Sequence, residues 1–318
     1  MKTYAAPRWL PGGHAQTIWP LLRKGPPPAY RRERWDTPDG DFIDVDWIDA
    51  SAQRPLLALF HGLEGSSRSH YAIALMQAAR RHGWRGAVVH FRGCSDEPNR
   101  LPRAYHSGDS AEIDWILRRL HGRAPTVPLF AAGVSLGGNA LLKWLGEQGQ
   151  AAVPLVAAAA GISVPLDLAA ANDCLSRGFG LVYARHFLRT LVPAALAKLA
   201  RHPGLFDAAP VVAARTLREF DDAVTAPLHG FRDAADYYAR SSSGPFLSSI
   251  AVPTLVLNAR NDPFLPAAVL PRRAGPGVTL EQPAEGGHAG FVSGPFPGRL
   301  GWLPERVMAH FAGLECVR

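Results

Sequence analysis

Apolar and polar positions change pattern three times along the chain. In RRERWDTPDGDFIDVDWID, apolar residues alternate with polar ones around TPDG, which predicts an antiparallel hairpin. Beyond it, the short apolar runs PLLALFHG, GAVVHFRG, VPLFAAGVS and LVAAAAGIS are separated by the helix-like segments SHYAIALMQAARRHG, DSAEIDWILRRLHG and GGNALLKWLGEQG. Unbroken apolar runs between helices predict parallel strands buried on both faces. From 164 to 250 the pattern is helical, most clearly in FGLVYARHFLRTLVPAALAKLARH. Strand patterns then resume with PTLVLNARND and VTLEQPAEGGH, and the chain closes on a helix near LPERVMAHFAGL.

This order predicts an α/β fold with a mostly parallel central sheet of about eight strands and helices on both faces. Residues 31–163 and 251–318 would form the core. Residues 164–250 would be a helical cap inserted over the carboxyl edge of the sheet, where open parallel sheets bind ligands. Residues 1–30 read as an N-terminal arm ending in KGPPPAY, an extended spacer.

Composition narrows the function classes. The 318 residues carry a net charge of +7, but lysine is confined to Lys2, Lys24, Lys143 and Lys198. The arginines are spread along the chain without a basic block or a basic–aromatic stripe, which argues against nucleic acid and leaves a weak attraction to anionic membrane surfaces. Cys94, Cys174 and Cys316 are odd in number and widely spaced, so neither a disulfide framework nor a zinc site is expected. The segment MKTYAAPRWLPGG lacks the apolar core of a signal peptide, and VPLVAAAAGISVPL is too short and Pro-flanked to span a bilayer. A cytoplasmic protein without a cofactor is the expectation.

The chemistry centres on AAGVSLGGNALLKWL. Here Ser135 follows a buried-strand run, precedes a helix and lies between Gly133 and Gly137. Strand–turn–helix with small flanking residues is the setting of a nucleophile elbow, although a serine there could also be a plain helix cap. A nucleophilic serine needs a base, and the base an orienting carboxylate, in the chain order Ser, acid, His for a hydrolase of this fold. Asp262 follows the strand of PTLVLNARND, and His288 lies in the glycine-rich loop after the last strand. Asp167 and Asp173 are rivals for the acid. Oxyanion donors would be the amides of Leu136, next to the serine, and Leu63, in HGLEGSS after the first parallel strand. His61 reads as a turn-bonding residue, and no H-E-x-x-H motif favours a metallohydrolase.

With these residues in view, the chain resembles the YheT-like branch of the α/β-hydrolase superfamily. That branch includes bacterial esterases and eukaryotic medium-chain ester hydrolases and acyltransferases. The resemblance runs through PRWLPGGHAQTIWP, HGLEGSSRSHY, HFRGCSDEPNRLPRAYHSGDS, GVSLGGNALLKWLGE, RHPGLFD, FDDAVTAPLHGF, ADYY, NARNDPF and GGHAGF. It implies an α/β-hydrolase fold, with Ser135 as nucleophile, Asp262 as acid and His288 as base, acting on a small-molecule acyl ester. One departure is Asp96, where the family pattern leads one to expect Gly. An alcohol acyltransferase would use the same residues, and a non-catalytic binding protein could share the fold. In GGHAQTIWP, a clamp between arm and body is expected rather than a catalytic His14.

Overall fold

A computed structural model describes residues 3–315; Cys316 lies outside the described residues. One sheet organises the chain. Its strands are β1 (Arg31–Asp36), β2 (Phe42–Ile48), β3 (Leu56–Phe60), β4 (Arg85–Val89), β5 (Leu129–Val134), β6 (Ala158–Ile162), β7 (Thr254–Leu257) and β8 (Val278–Glu281). Their spatial order is β1-β2-β4-β3-β5-β6-β7-β8. β2 runs antiparallel to both neighbours, and every pairing from β4 to β8 is parallel.

Period-2 side-chain direction sorts the strand residues onto two faces. Leu56, Ala58 and Phe60 of β3 pack with Ile113, Ile116 and Leu117 of helix Ser110–Gly122 and with helix Leu136–Gln148. Leu57 and Leu59 face the other way, towards helices His70–Arg81 and Trp302–Glu315. Each buried leucine contributes about 1.5–3 kcal/mol, so both faces are needed for stability. β6 is AAAGI because the elbow helix crosses it closely; a Cβ on Gly161 would lie 2.9 Å from Leu142 Cδ1.

Between β6 and β7 the chain is helical, its longest helix being Gly180–Arg201. This insertion has its own apolar cluster. Arm residue Ile18, Leu63 after β3, and Phe264 and Leu265 after β7 join it. Among the described residues, no helix is long and apolar enough to cross a membrane.

β1 and β2 form the expected antiparallel hairpin, and all seven residues of β2 are buried, its polar ones included. Its polar positions form a buried ion network with the loop after β4. Asp44 accepts from Arg34 and from Ser95 Oγ at 2.6 Å. Asp46 is bonded by Arg32 at 2.7 Å, by Ser67 Oγ at 2.6 Å and by His90 Nε2 at 2.9 Å. Burial alone would raise the Asp46 pKa, but these donors hold it well below the usual carboxylate range.

Asp46→Asn should therefore destabilise the fold by about 3 kcal/mol, the low end for a broken buried pair because Arg32 is partly solvated. Urea unfolding at neutral pH measures this difference. A depressed native pKa gives stability that is present above the unfolded-state value and lost as pH falls through the native one. The gap between wild type and variant should thus narrow as pH drops below about 4.

Candidate active site

β5 runs into Ser135, which takes φ 53° and ψ −119°, and the next residue opens helix Leu136–Gln148. Few non-glycine residues adopt a positive φ, so the surroundings must enforce it. Ser135 N donates to Ile162 O at 2.8 Å, and Asn139 N donates to Ser135 O at 2.9 Å. The turn also demands bare backbone on both sides. A Cβ on Gly133 would lie 2.5 Å from Gly137 O, and one on Gly137 would strike the carbonyls of His61 and Phe60.

The loop after β3 lies against the serine, and a Cβ on Gly62 would come 3.2 Å from Ser135 Cβ. Gly62 N and Glu64 N each donate at 2.9 Å, to the hydroxyls of Tyr71 and Tyr105. Leu63 N, between them, and Leu136 N, at the helix start, have no hydrogen-bond partner among the described residues. Two free N–H groups flanking a serine, one of them at a helix N-terminus, suit a developing anion. His61 is fully buried and shapes this loop: Nδ1 donates to Gly62 O at 2.8 Å and Nε2 accepts from Phe91 N at 3.1 Å. Burial pushes its pKa down to about 3, so it stays neutral.

Asp262, in the loop after β7, is buried. Its Oδ1 accepts from Phe264 N at 2.9 Å, and its Oδ2 accepts from His288 Nδ1 at 2.8 Å. That bond leaves Nε2 of His288 free to take a proton. The imidazole stacks on Phe264, with centroids 4.1 Å apart. Ser135 and His288 line one small pocket of about 80 Å³ without a hydrogen bond between them, a separation common in resting sites of this kind. Asp167 instead caps helix Leu168–Leu175 by accepting from Ala170 N at 3.0 Å, and Asp173 is exposed.

The small pocket adjoins a larger cavity of about 570 Å³ beneath the helical insertion. Leu63, Ser107, Leu136, Leu168, Asn172 and Leu217 are walls of both spaces. Cys94 also lines the cavity, and burial raises its thiol pKa well above the usual range. On the rim, Asp96 has a φ of 73°, a conformation that suits the glycine expected there. It is exposed and pairs with Arg68 at 3.1 Å and Arg32 at 3.5 Å, away from the serine pocket.

A profile of the alpha/beta hydrolase fold matches residues 55–295. YheT of Escherichia coli (strain K12) is 42% identical over 302 residues, covering 92% of this chain and 88% of that protein. The chain belongs to the YheT-like branch of the α/β-hydrolase superfamily. Phospholipase ABHD3 of Mus musculus is 32% identical over 326 residues, covering 98% of this chain and 78% of that protein. The esterase Pf2001 of Pyrococcus furiosus shares the fold, with a TM-score of 0.57 at 13% identity over 90% of this chain and 92% of that one. This YheT-like protein is an ester hydrolase.

Gly137→Ala should push the elbow off the β3 carbonyls. An added Cβ there is expected to cost about 1–3 kcal/mol of stability. Ester hydrolysis should fall about 100-fold, the usual cost of a 1 Å displacement at reacting atoms. Urea unfolding and initial-rate assays on the same preparation measure both effects.

Proposed function

We propose that this YheT-like protein hydrolyses short- to medium-chain, lipid-like acyl esters by two-step acyl transfer. Ser135 Oγ attacks the ester carbonyl while His288 Nε2 takes its proton. Asp262 keeps the remaining proton on Nδ1 and stabilises the imidazolium. The tetrahedral oxyanion sits between the amides of Leu63 and Leu136. His288 then protonates the leaving alcohol, and water, activated by the same imidazole, releases the acid from Ser135. The observation that carries this reading is one pocket that holds the strained Ser135, the carboxylate-bound imidazole of His288 and the two unpaired amides.

The substrate class rests on the adjoining cavity. Its size falls in the range of small-molecule sites and exceeds what an acetyl group needs. Leu63, Leu168, Leu191, Leu217 and Phe220 give it an apolar lining. Burial drives the pKa values of His106 and His229 on its wall down to about 4 and about 3, so neither carries charge at neutral pH. A chamber whose wall is largely apolar, with Arg92 and Lys198 already bonded to protein partners, favours an acyl chain over an ionic substrate. The relative named as a phospholipase agrees with that direction. In this reading, residues 164–250 act as the cap that closes the acyl chamber.

Kinetics on p-nitrophenyl esters test both parts. Ser135→Ala should lower kcat by about 10⁶-fold, as expected when three groups act as a unit. For the wild type, kcat/KM should rise from acetyl to octanoyl esters. Full activity in Ser135→Ala would refute the nucleophile, and a preference for acetyl would refute the acyl chamber.

A further inference from the structure

The arm motif GGHAQTIWP reaches the catalytic loops. Residues 285–291, which carry His288, lie in neither helix nor strand. Gly287 takes a φ of 61°, which glycine adopts freely, but the backbone is strained at Ala289 and Phe291, with φ 53° and 44°. What fixes this loop is a set of side chains from elsewhere, one for each of four successive amides. Gly286 N donates to Gln16 Oε1 at 2.9 Å and Gly287 N to Asn261 Oδ1 at 3.0 Å. His288 N donates to Thr17 Oγ1 at 2.9 Å and Ala289 N to Ser163 Oγ at 2.8 Å. Gln16 and Thr17 belong to the arm helix Gly13–Leu22.

The arm also grips the loop of the acid. Gln16 Oε1 accepts a second bond from Asn261 Nδ2 at 3.0 Å, and Asn261 directly precedes Asp262. Gln16 Nε2 donates to Leu10 O at 2.9 Å and Glu285 Oε1 at 3.3 Å. The amide oxygen thus faces two donors and the nitrogen two acceptors, so only one orientation satisfies the fully buried side chain. Thr17 Oγ1 gives its own proton to Gly13 O at 2.7 Å, which turns a lone pair towards His288 N. Gly13 must be glycine, because a Cβ there would overlap Asn261 O.

We infer that Gln16 and Thr17 are positioning residues that hold Asp262 and His288 in mutual register, so that the arm sets the rate of the acyl-transfer step. This rests on the proposed roles of Ser135, Asp262 and His288. The Asp262–His288 bond spans the loops after the adjacent strands β7 and β8, which Arg260 N–Pro283 O at 2.8 Å and Gly287 N–Asn261 Oδ1 already tie together, and Gln16 adds a further bridge through one oxygen atom. An outward shift of His288 by 1 Å would be expected to cost about 100-fold in rate without weakening substrate binding. The arm also reaches the base indirectly, through two rings. His14 Nδ1 lies 3.1 Å from the Tyr183 hydroxyl, Tyr183 packs on Phe264 at 4.7 Å, and Phe264 stacks on His288.

The test compares Thr17→Val, which keeps the side-chain shape and removes the acceptor, with Thr17→Ser, which keeps the hydroxyl. In the full-length protein acting on p-nitrophenyl butyrate, Thr17→Val should lower kcat about 10- to 100-fold, with KM within about threefold of wild type. Thr17→Ser should restore kcat to within about threefold. Urea unfolding confirms that the variants assayed are folded. If Thr17→Val does not fold, Thr17→Cys makes the same comparison with a weaker acceptor and should give an intermediate kcat. A folded Thr17→Val or Thr17→Cys protein with wild-type kcat would overturn the inference, as would Thr17→Ser that is no faster than Thr17→Val. Ser135→Ala assayed alongside separates the two readings. A rate that survives Ser135→Ala refutes the nucleophile, whereas a Ser135-dependent rate that Thr17→Val leaves unchanged refutes only the role of the arm.

Discussion

A positive φ at Ser135 is the constraint to which the neighbouring elements answer. Holding a serine there costs roughly 1–3 kcal/mol, and the compensation comes from what the turn brings together. Helix Leu136–Gln148 starts at the next residue and is buried from Leu136 to Gly146. Glycine at 133 and 137 lets strand, helix and the end of β3 approach at backbone distance. The alanines of β6 let the same helix lie flat on the sheet, and Ile162 O receives the serine amide. The strain is thus carried by close packing of small residues, and it leaves the serine hydroxyl at a pocket edge instead of in the core.

The opposite solution serves His288, the proposed base. The His288 loop gains little from regular structure and is pinned amide by amide from the arm, from the loop of Asp262 and from Ser163. A third device holds the cavity rim. The buried Asp44 and Asp46 bind the loop after β4 through Ser95 and His90, so part of the chamber wall depends on ion pairs inside the sheet's antiparallel end. These three devices differ in physics: backbone strain enclosed by packing, distributed hydrogen bonding, and buried charge satisfied by several donors. The first tolerates no added volume, the second no lost acceptor, and the third no lost charge.

These differences explain what the sequence made legible. Strands β3 to β7 are apolar runs, Ser135 directly follows β5, and Asp262 and His288 lie in the loops after β7 and β8, so local pattern suffices to find them. The arm helix was not legible. It lacks a side-chain N-cap and an acidic first turn, and it contains Pro20. The contacts of Gln16 and Thr17 with the base loop span 270 and 271 residues of sequence, which no local periodicity encodes. Two glycines and the short polar pair Gln-Thr were the only trace of a close backbone approach. Alternation in FIDVDWI predicted the hairpin strand but not its ion pairs, because period 2 cannot distinguish solvent from an arginine on the neighbouring strand. Asp96 stood out against the family pattern. Its positive φ accounts for the glycine expected there, and its arginine partners hold the carboxylate on the rim.

The account as a whole stands on Ser135 being the one activated nucleophile of the chain. Labelling the folded protein with a fluorophosphonate and locating the adduct by peptide mass spectrometry measures this directly. One phosphonyl group per chain on the peptide containing Ser135, with parallel loss of esterase activity, is the predicted result. Loss of activity with the adduct on another residue, or an active enzyme with Ser135 unlabelled, would contradict it.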